Sequence, residues 1–429
     1  MPSYSSLDRA ALLKEAEAQQ LRLDAFAARK LSLNMARGKP CKEQLDLASE
    51  MMAVLGPSDV KGADGTDTRN YGLLEGLPEA RALFGSLFGV PAAQVIVGGN
   101  SSLNLMYDAV ARAMLTAVPG ADRPWSREPV VKFLCPSPGY DRHFAICKEL
   151  GIEMLPVGMT PEGPDMDEVE RLCAMDASIR GIWCVPVYSN PDGIVYSEKA
   201  CRRLAAMRSA PDFRIFWDNA YFLHHLYPED KPSVPEMTAL CAEAGNPDRV
   251  YMFASTSKVT FAGAGVAALA TSPANIEHIR KNMGIQTIGH DKINQLRHVR
   301  YLKDRAGVEK HMERHAAILR PKFETVLRIL DAELREPGIA TWIAPRGGYF
   351  ISLFVEKGLA KEVVALAKSV GVELTPAGAA YPYGKDPNDR NIRIAPSFPP
   401  TSELVTAIEV LCTCVRLASA RRGATEASR

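Results

Sequence analysis

Short apolar runs alternate with helix-like segments between about Leu45 and Ala270, and this alternation constrains the fold more than any other feature. The runs AAQVIVGG, PVVKFLCPSPGY, IRGIWCVPVYSNP, FRIFWDNAYF and VYMFASTSK each lead into a polar or glycine-rich turn. They lack the polar alternation of a strand that has one face in water, and helical patterns separate them. The sequence therefore predicts an α/β fold with a mainly parallel sheet that helices cover on both faces.

A smaller α+β domain is predicted to follow this region. A helical stretch runs from about 275 to 335, and the strands ATWIAPRGGYFISLFV and RNIRIAPSF then flank the helix KEVVALAKSV. We expect a large domain over 50–295 and a small domain over 1–49 and 296–429, with a polar N-terminal helix in the small domain. The polar tail from Arg416 onward is expected to fray.

Composition and charge exclude several classes of function. The 51 lysines and arginines balance 50 acidic residues, so the net charge of +1 gives no reason to expect a nucleic acid or a membrane surface as partner. The nine cysteines are scattered and odd in number, which favours reduced, buried thiols in a cytoplasmic protein. No apolar run has the length of a membrane span or the character of a signal peptide.

No metal site is expected from the cysteines or the histidines. His311 and His315 share one helix face, but a third ligand and the glutamate of a zinc motif are missing. We therefore predict that these two histidines lie on a solvated face.

Polar residues stand just past the ends of several predicted strands. Ligands of open parallel sheets bind beyond the carboxyl ends of the strands. We therefore expect one set of side chains to converge on a single rim of the sheet: Ser101, Tyr140, Asn190, Asp218, Tyr221 and Lys258.

Lys258, Asp218 and Asn190 carry most of the chemical argument, although each has an ordinary explanation. A lysine at a strand end can extend to solvent, an aspartate can cap a turn, and Asn-Pro is itself turn chemistry. In a dry site, however, a lysine has a lowered pKa and becomes a nucleophile. A buried carboxylate would keep a heterocycle nitrogen protonated, and an asparagine amide would donate to a phenolate oxygen. The three residues lie about one βα unit apart, which favours a joint site.

Two segments could hold a phosphate. In FASTSKVTFAGAG, Ser255 and Ser257 offer hydroxyl donors among small residues. In GGNSSLNL, the residues Asn100, Ser101 and Ser102 turn into a helix whose first amides attract anions. A phosphate, a protonated ring nitrogen, a phenolate and an aldehyde that reacts with lysine together describe pyridoxal phosphate.

The motifs SNPDG, DNAYF and STSK, in this order and spacing, resemble those of the fold type I pyridoxal-phosphate enzymes, in the class I/II aminotransferase branch. NYGLLEGLPEAR, APRGGYFISL and NIRIAPSF resemble further stretches of that family, so the resemblance covers most of the chain. MARGKP, TSKVTFAGAG and RIAPSFPP are most similar to a divergent bacterial subgroup of aspartate aminotransferases. The resemblance implies the PLP-transferase fold type I, with a seven-stranded sheet in the large domain, and a homodimer with shared active sites.

The resemblance also implies roles for single residues. Lys258 would bind the cofactor covalently and later move the substrate proton, and Asp218 would pair with the ring nitrogen. Asn190 and Tyr221 would bond the ring oxygen, and Tyr140 would stack on the ring. The phosphate would be held by Asn100, Ser101, Ser102, Ser255, Ser257 and Tyr71 of the partner subunit.

For the substrate, the resemblance implies that Arg393 and Asn190 bind the α-carboxylate end and that Gly38 closes over it. A dicarboxylic amino acid needs a second cation, for which Arg37 is the candidate, although an ordinary surface arginine is an equal explanation. One departure stands out. The family usually has a phosphate-binding arginine a short distance past the lysine, where this sequence has Gly265 and Val266.

We therefore predict a homodimeric aminotransferase that moves the amino group of L-aspartate to 2-oxoglutarate by ping-pong chemistry. An aminotransferase for aromatic, alanine or aminoadipate substrates is the nearest alternative. A β-eliminating lyase is a further one, because a fold does not fix which bond reacts. The alternative of another class is a non-enzymatic regulator with an aminotransferase-like domain. The neutral charge and the short segment before the recognisable region argue against that regulator.

Overall fold

The apolar runs of the sequence form strands in the computed structural model, which describes residues 3–427. The strands in that range are β1 (Leu33–Asn34), β2 (Val95–Val97), β3 (Lys132–Ser137), β4 (Glu153–Thr160), β5 (Gly163–Pro164), β6 (Ile179–Cys184), β7 (Arg214–Asp218), β8 (Val250–Ser255), β9 (Ala267–Ala270), β10 (Ala340–Trp342), β11 (Ile351–Val355), β12 (Val372–Glu373) and β13 (Asn391–Ile394).

One large sheet has the strand order β2-β9-β8-β7-β6-β3-β4-β5. Strands β8, β7, β6, β3 and β4 pair in parallel, whereas β9 is antiparallel to both of its neighbours. The mainly parallel sheet predicted from the apolar runs is therefore confirmed. The eighth strand is the two-residue β5, which pairs back on β4 through Thr160 and Gly163 and is too short to be recognised from a sequence pattern.

Helices cover the large sheet on both faces. The α-helices of residues 3–427 are α1 (Arg9–Ala28), α2 (Lys42–Asp46), α3 (Pro78–Phe88), α4 (Ser102–Leu115), α5 (Asp141–Glu149), α6 (Met166–Met175), α7 (Glu198–Ala206), α8 (Met237–Glu243), α9 (Pro273–Gln286), α10 (Lys292–Leu302), α11 (Arg305–Leu330), α12 (Ala360–Ser369) and α13 (Thr401–Glu426). None of them is long and apolar enough to cross a membrane.

The strand register brings the predicted site residues to one edge. Cys184 of β6 lies opposite Trp217 of β7, and Asp218 lies opposite Phe253 of β8. Asn190 follows β6, Asp218 ends β7 and Lys258 follows β8. Because these three strands are parallel, their carboxyl ends meet at the same edge of the sheet.

A second apolar core surrounds the smaller sheet β10-β11-β13, which is antiparallel throughout. Helices α1, α12 and α13 contribute side chains to it, and the later part of α11 does so too. The domain ranges 50–295, 1–49 and 296–429 remain a prediction. Their outermost residues, 1–2 and 428–429, lie outside the described residues.

The expectation that the tail frays from Arg416 onward is wrong for the described residues. Helix α13 continues to Glu426, and Arg416 is buried within it. The Arg416 guanidinium pairs with Glu15 over 2.6 Å and with Glu333 over 2.7 Å. A polar residue of the tail is therefore paired inside the fold, with acidic residues that lie far away along the chain.

Candidate active site

A small cavity of about 80 Å³ lies at the carboxyl edge of the large sheet. Its lining includes all six residues that were expected to converge there: Ser101, Tyr140, Asn190, Asp218, Tyr221 and Lys258. Ser102 and Ser257 also line it. A second cavity of about 940 Å³ adjoins it, since Tyr140, Tyr221 and Lys258 line both.

Only one oxygen of the Asp218 carboxylate has a hydrogen-bond partner. Its Oδ2 accepts a hydrogen bond of 3.1 Å from Nε2 of His143, and the side chain is 2% exposed. The His143 ring stacks on Trp183, with centroids 4.4 Å apart and planes 8° apart. Oδ1 of Asp218 is buried and has no partner. A buried carboxylate oxygen without a donor is unfavourable, so the site suits a ligand that brings an N–H group.

Asn190 has a free donor beside this carboxylate in the cavity lining. Its Nδ2 is buried without a partner, whereas its Oδ1 accepts a bond of 3.4 Å from Nη1 of Arg393. The amide therefore contacts the arginine with one end and leaves the other for an acceptor on a ligand.

Lys258 lies in the turn after β8, with its Nζ 5.0 Å from the centre of the Tyr221 ring. Burial lowers the pKa of Lys258, and the negative charge of Asp218 offsets part of this shift. Burial also raises the pKa of Tyr221, and it raises the pKa of Tyr140 to about 12. The site therefore combines an amine that deprotonates more readily than usual with two phenols that remain donors.

The start of α4 and the turn after β8 supply donors for an anion. Ser101 caps α4, and its Oγ accepts a bond of 3.2 Å from the Leu103 amide. The hydroxyls of Ser255 and Ser257 lie 2.6 Å apart. The positive end of a helix dipole favours an anion at this place.

Position 265 has no room for an arginine side chain. The resemblance led us to expect a phosphate-binding arginine near this position, past Lys258. A Cβ on Gly265 would lie 2.9 Å from the amide nitrogen of Ser257 and 3.0 Å from the carbonyl oxygen of Asn100. The Gly265 amide donates to Oδ1 of Asn100 over 2.6 Å, and its carbonyl accepts from Nδ2 of Asn294 over 2.9 Å. The two loops around the anion donors are therefore joined by amide contacts.

Three of the predicted cofactor residues do not line the small cavity: Asn100, Ser255 and Tyr71. Asn100 contacts the Gly265 loop, and Ser255 contacts Ser257, which does line the cavity. Tyr71 is 81% exposed in this chain. The role of Tyr71 at the phosphate of a partner subunit stays a prediction.

The larger cavity contains the predicted substrate residues Arg37, Gly38 and Arg393. Arg393 is buried, with its Cζ 5.0 Å from the centre of the Phe350 ring and its Nη1 3.1 Å from Oδ1 of Asp141. A Cβ on Gly38 would lie 2.5 Å from Cζ of Phe350. A larger residue at position 38 would therefore require the buried Phe350 ring to move.

Three residues around the site were not predicted from the sequence: Asp141, Arg142 and His143. They directly follow Tyr140 and open α5, and Asp141 and Arg142 line the larger cavity. The available signal was a run of polar residues at a helix start beside the carboxyl edge of the sheet.

The prediction of a solvated face for His311 and His315 is wrong. Both are buried: the Nε2 of His311 donates to the Val259 carbonyl over 2.7 Å, and the two Nε2 atoms lie 3.2 Å apart. A spacing of four residues shows that two side chains share a face, but it does not show which surface covers that face.

Acid should destabilise the protein because several histidines are buried in the neutral form. Burial lowers the pKa of His224 and His315 to about 3 and that of His298 to about 4. An unfolded histidine binds a proton below about pH 6.5, so the free energy of unfolding falls as the pH falls. Asp192 acts in the opposite direction, since burial raises its pKa to about 7. Burial also lowers the pKa of His225 and His278 to about 4. The histidines therefore outweigh Asp192, and the free energy of unfolding falls by about 1.4 kcal/mol per pH unit for each net proton below about pH 6.

Denaturant unfolding of the protein at several pH values between neutrality and pH 4.5 would measure this loss, with the lower limit set at about the point where ordinary carboxylates begin to titrate. In His298→Gln, one titrating group is absent, so the pH dependence should weaken by about one proton. A free energy of unfolding that stays constant over this range would contradict the prediction.

The residues present fit pyridoxal phosphate. The unpartnered Oδ1 of Asp218 suits a protonated ring nitrogen, and the unpartnered Nδ2 of Asn190 suits a ring oxygen. Lys258 offers an amine with a lowered pKa, and the start of α4 offers an anion site. All of these groups lie around one cavity.

The fold and this set of residues define a fold type I aminotransferase. A crystal structure of an α-aminoadipate aminotransferase from Thermus thermophilus, in complex with N-(5'-phosphopyridoxyl)-L-leucine, matches with a TM-score of 0.73. The two proteins are 22% identical, and the match covers 93% of this chain and 95% of the other. At this identity the match shows the fold alone.

The model of the aspartate amino-transferase family matches residues 5–427, and the chain belongs to that family. A protein of Mycolicibacterium smegmatis is 50% identical over 97% of this chain and 98% of its own. The aspartate aminotransferase of Corynebacterium glutamicum is 48% identical over 93% of this chain and 92% of its own. A crystal structure of an aspartate transaminase from the same species has a TM-score of 0.96 and 46% identity, covering 98% of this chain and 99% of its own.

Proposed function

We propose that the protein is a pyridoxal-phosphate-dependent aminotransferase that moves the amino group of L-aspartate to 2-oxoglutarate. The observation that carries the proposal is the small cavity, where the Lys258 amine lies with two buried polar atoms that lack partners, Oδ1 of Asp218 and Nδ2 of Asn190. Kinship with aspartate aminotransferases over nearly the whole chain supports the same reaction.

Each side chain of the small cavity has a separate role in the proposed reaction. Pyridoxal phosphate supplies an aldehyde that binds amines and a ring that accepts electrons from the substrate Cα. Asp218 would hold the proton on the ring nitrogen, and Asn190 and Tyr221 would donate to the ring oxygen. Tyr140 would cover the ring. Lys258 would bind the cofactor, and its free Nζ would take the proton from the substrate Cα.

The larger cavity supplies groups for the two carboxylates of an acidic substrate. Arg393 binds the α-carboxylate in place of its present partner Asp141, and Gly38 lies beside this position. Arg37 is our candidate for the distal carboxylate. Arg142 lines the same cavity and is the second candidate.

We also propose a homodimer in which Tyr71 reaches the phosphate of the neighbouring site. Tyr71, Ile285 and Ile288 are 81%, 87% and 62% exposed, and their segments lie together because Nζ of Lys292 donates to the Gly72 carbonyl over 3.0 Å. An exposed apolar surface of this kind is typical of a protein–protein contact.

A visible absorbance spectrum of the purified protein tests the function. We expect a band from the cofactor on Lys258 that bleaches with L-aspartate and returns with 2-oxoglutarate. A protein that stays colourless with added pyridoxal phosphate would overturn the cofactor assignment. A band that responds only to another amino acid would keep the assignment as an aminotransferase and overturn L-aspartate as its substrate.

The same titration on Arg37→Ala separates the substrate classes. If Arg37 binds the distal carboxylate, this variant needs more L-aspartate for bleaching, by about 10- to 100-fold, because it loses a hydrogen bond to a charged group. Bleaching by L-alanine, which has no distal carboxylate, should stay as it is in the unmodified protein. Arg142→Ala is the matched control, and the selective defect in that variant instead would transfer the role to Arg142.

A further inference from the structure

Buried histidines contact consecutive residues of the turn that carries Lys258. Nε2 of His224 donates to the Lys258 carbonyl over 3.2 Å. Nε2 of His311 donates to the Val259 carbonyl over 2.7 Å. His224 comes from the segment after β7 and His311 from α11, so two separate elements hold adjacent carbonyls.

The next residue of the turn has a similar contact. Oγ1 of Thr260 lies 2.9 Å from Nε2 of His298, which belongs to α10. Within the turn, the Thr256 carbonyl accepts from the amides of Val259 and Thr260, each over 2.8 Å. The carbonyls of residues 258 and 259 therefore follow a short helical turn, where backbone donors run out and side chains must take their place.

This contact set continues from the turn to the N-terminal segment. Nε2 of His315 lies 3.2 Å from Nε2 of His311, and Nδ1 of His315 accepts from Nε2 of Gln44 over 3.0 Å. Nε2 of Gln44 also donates to the Tyr349 hydroxyl over 2.9 Å. Tyr349 lies edge-on to His224, with ring centroids 5.2 Å apart. The contacts therefore close into a ring behind the lysine.

The ring connects the lysine to the residues that surround the substrate cavity. Gln44 lies in α2, six residues after Gly38 in sequence, and Tyr349 precedes Phe350, which packs against Gly38. A backbone that carries Lys258 is thereby tied to the two segments that bound the larger cavity. If the histidines only supplied hydrogen bonds to the carbonyls of residues 258 and 259, this connection to the cavity would not be needed.

We propose that His224, His311 and His315, linked through Gln44 to the N-terminal segment, are positioning residues that fix the Lys258 turn relative to the substrate cavity. They do not touch substrate or cofactor. Their effect comes through the backbone of residues 258 and 259. Proton transfer is sensitive to such placement, because a shift of about 1 Å at a reacting group lowers the rate by as much as about 100-fold.

Substitution of His315 tests the proposal on the cofactor-loaded protein. His315→Leu removes the acceptor for Gln44 and the ring nitrogen that lies against His311. We expect kcat to fall by roughly 10- to 100-fold with little change in KM for L-aspartate, and the pH midpoint of the cofactor absorbance to shift. His315→Gln keeps an amide oxygen that can accept from Gln44 and should restore most of kcat and the original midpoint.

His278→Leu is the matched control, because His278 is a partly buried histidine whose contact, Thr116 at 3.3 Å, is away from the lysine turn. It should change thermal stability without the kinetic change. If His315→Leu loses only stability and keeps the kcat and absorbance midpoint of the unmodified protein, the histidines merely satisfy carbonyls and the proposal is overturned. Should His315→Leu fail to fold, His224→Leu against His224→Gln, which keeps an amide donor for the Lys258 carbonyl, carries the same comparison.

This inference rests on the proposed function, but one readout does not need the cofactor. Hydrogen exchange of the amides in residues 256–261, followed in the cofactor-free protein, should be faster in His315→Leu than in His315→Gln. Unchanged exchange would overturn the positioning role even in an active enzyme. An inactive, colourless protein in which exchange responds as expected would overturn only the proposed function.

Discussion

Lys258→Met is expected to lower kcat by roughly 10⁴-fold, since it removes both the covalent attachment and the group that moves the proton. Methionine keeps the length and the apolar stem of the side chain, so the turn after β8 should persist. Borohydride reduction should fix the cofactor to the unmodified chain and leave the variant unlabelled. Mass spectrometry of the reduced proteins would measure this difference directly.

Lys322→Met is the matched control for this experiment. Lys322 is also buried, but its Nζ donates to the carbonyls of Ser397 and Pro399, away from both cavities. This variant should be less stable and still take up the cofactor covalently. If Lys258→Met keeps its kcat or its covalent label, the central role of Lys258 is wrong.

The inactive variant also tests the shared site. Mixed with Tyr71→Ala chains, Lys258→Met chains should regain activity if Tyr71 acts across a dimer interface. One site of the mixed dimer then has both residues intact. If Tyr71 acts within its own chain, no site of the mixed dimer is intact and activity does not return.

Asp218→Asn is expected to lower kcat by about 10²- to 10³-fold, the usual effect of removing one electrostatic group from a reacting centre. An amide has nearly the shape of the carboxylate but no charge to hold a proton on the ring nitrogen. The half-reaction with L-aspartate, followed by absorbance in a stopped-flow instrument, would measure the loss at the chemical step.

His143→Leu provides the comparison, because it removes the hydrogen-bond donor to Asp218 and leaves the carboxylate itself in place. Its loss of rate should be clearly smaller than that of Asp218→Asn. Equal losses in the two variants would mean that the orientation of this carboxylate, rather than its charge, governs the rate.

The parts of the site that were predictable from the sequence are those with a local signature. Lys258 and Asp218 stand at the ends of apolar strands, where a charged side chain is unusual, and the parallel sheet follows from strands without polar alternation. These features depend on short stretches of chain. Their convergence at one edge then follows from the parallel strand order.

The parts that were missed depend on contacts between distant segments. His143 meets Asp218 across 75 residues of sequence, and Arg393 meets Asp141 across 252. For a single histidine or aspartate at a helix start, the sequence contains no pattern that identifies such a distant partner. The burial of His311 likewise depends on which segment covers α11, and helical periodicity does not contain that information.

Helix α11 contributes to both apolar cores. Val308 and Met312, near its beginning, pack with the core of the large sheet, whereas residues from Leu319 to Leu330 pack with the core of the small sheet. Neither core keeps all of its contacts if the other unfolds and takes this helix with it. We therefore expect the two cores to unfold together on heating, so that damage to either half is shared by the whole.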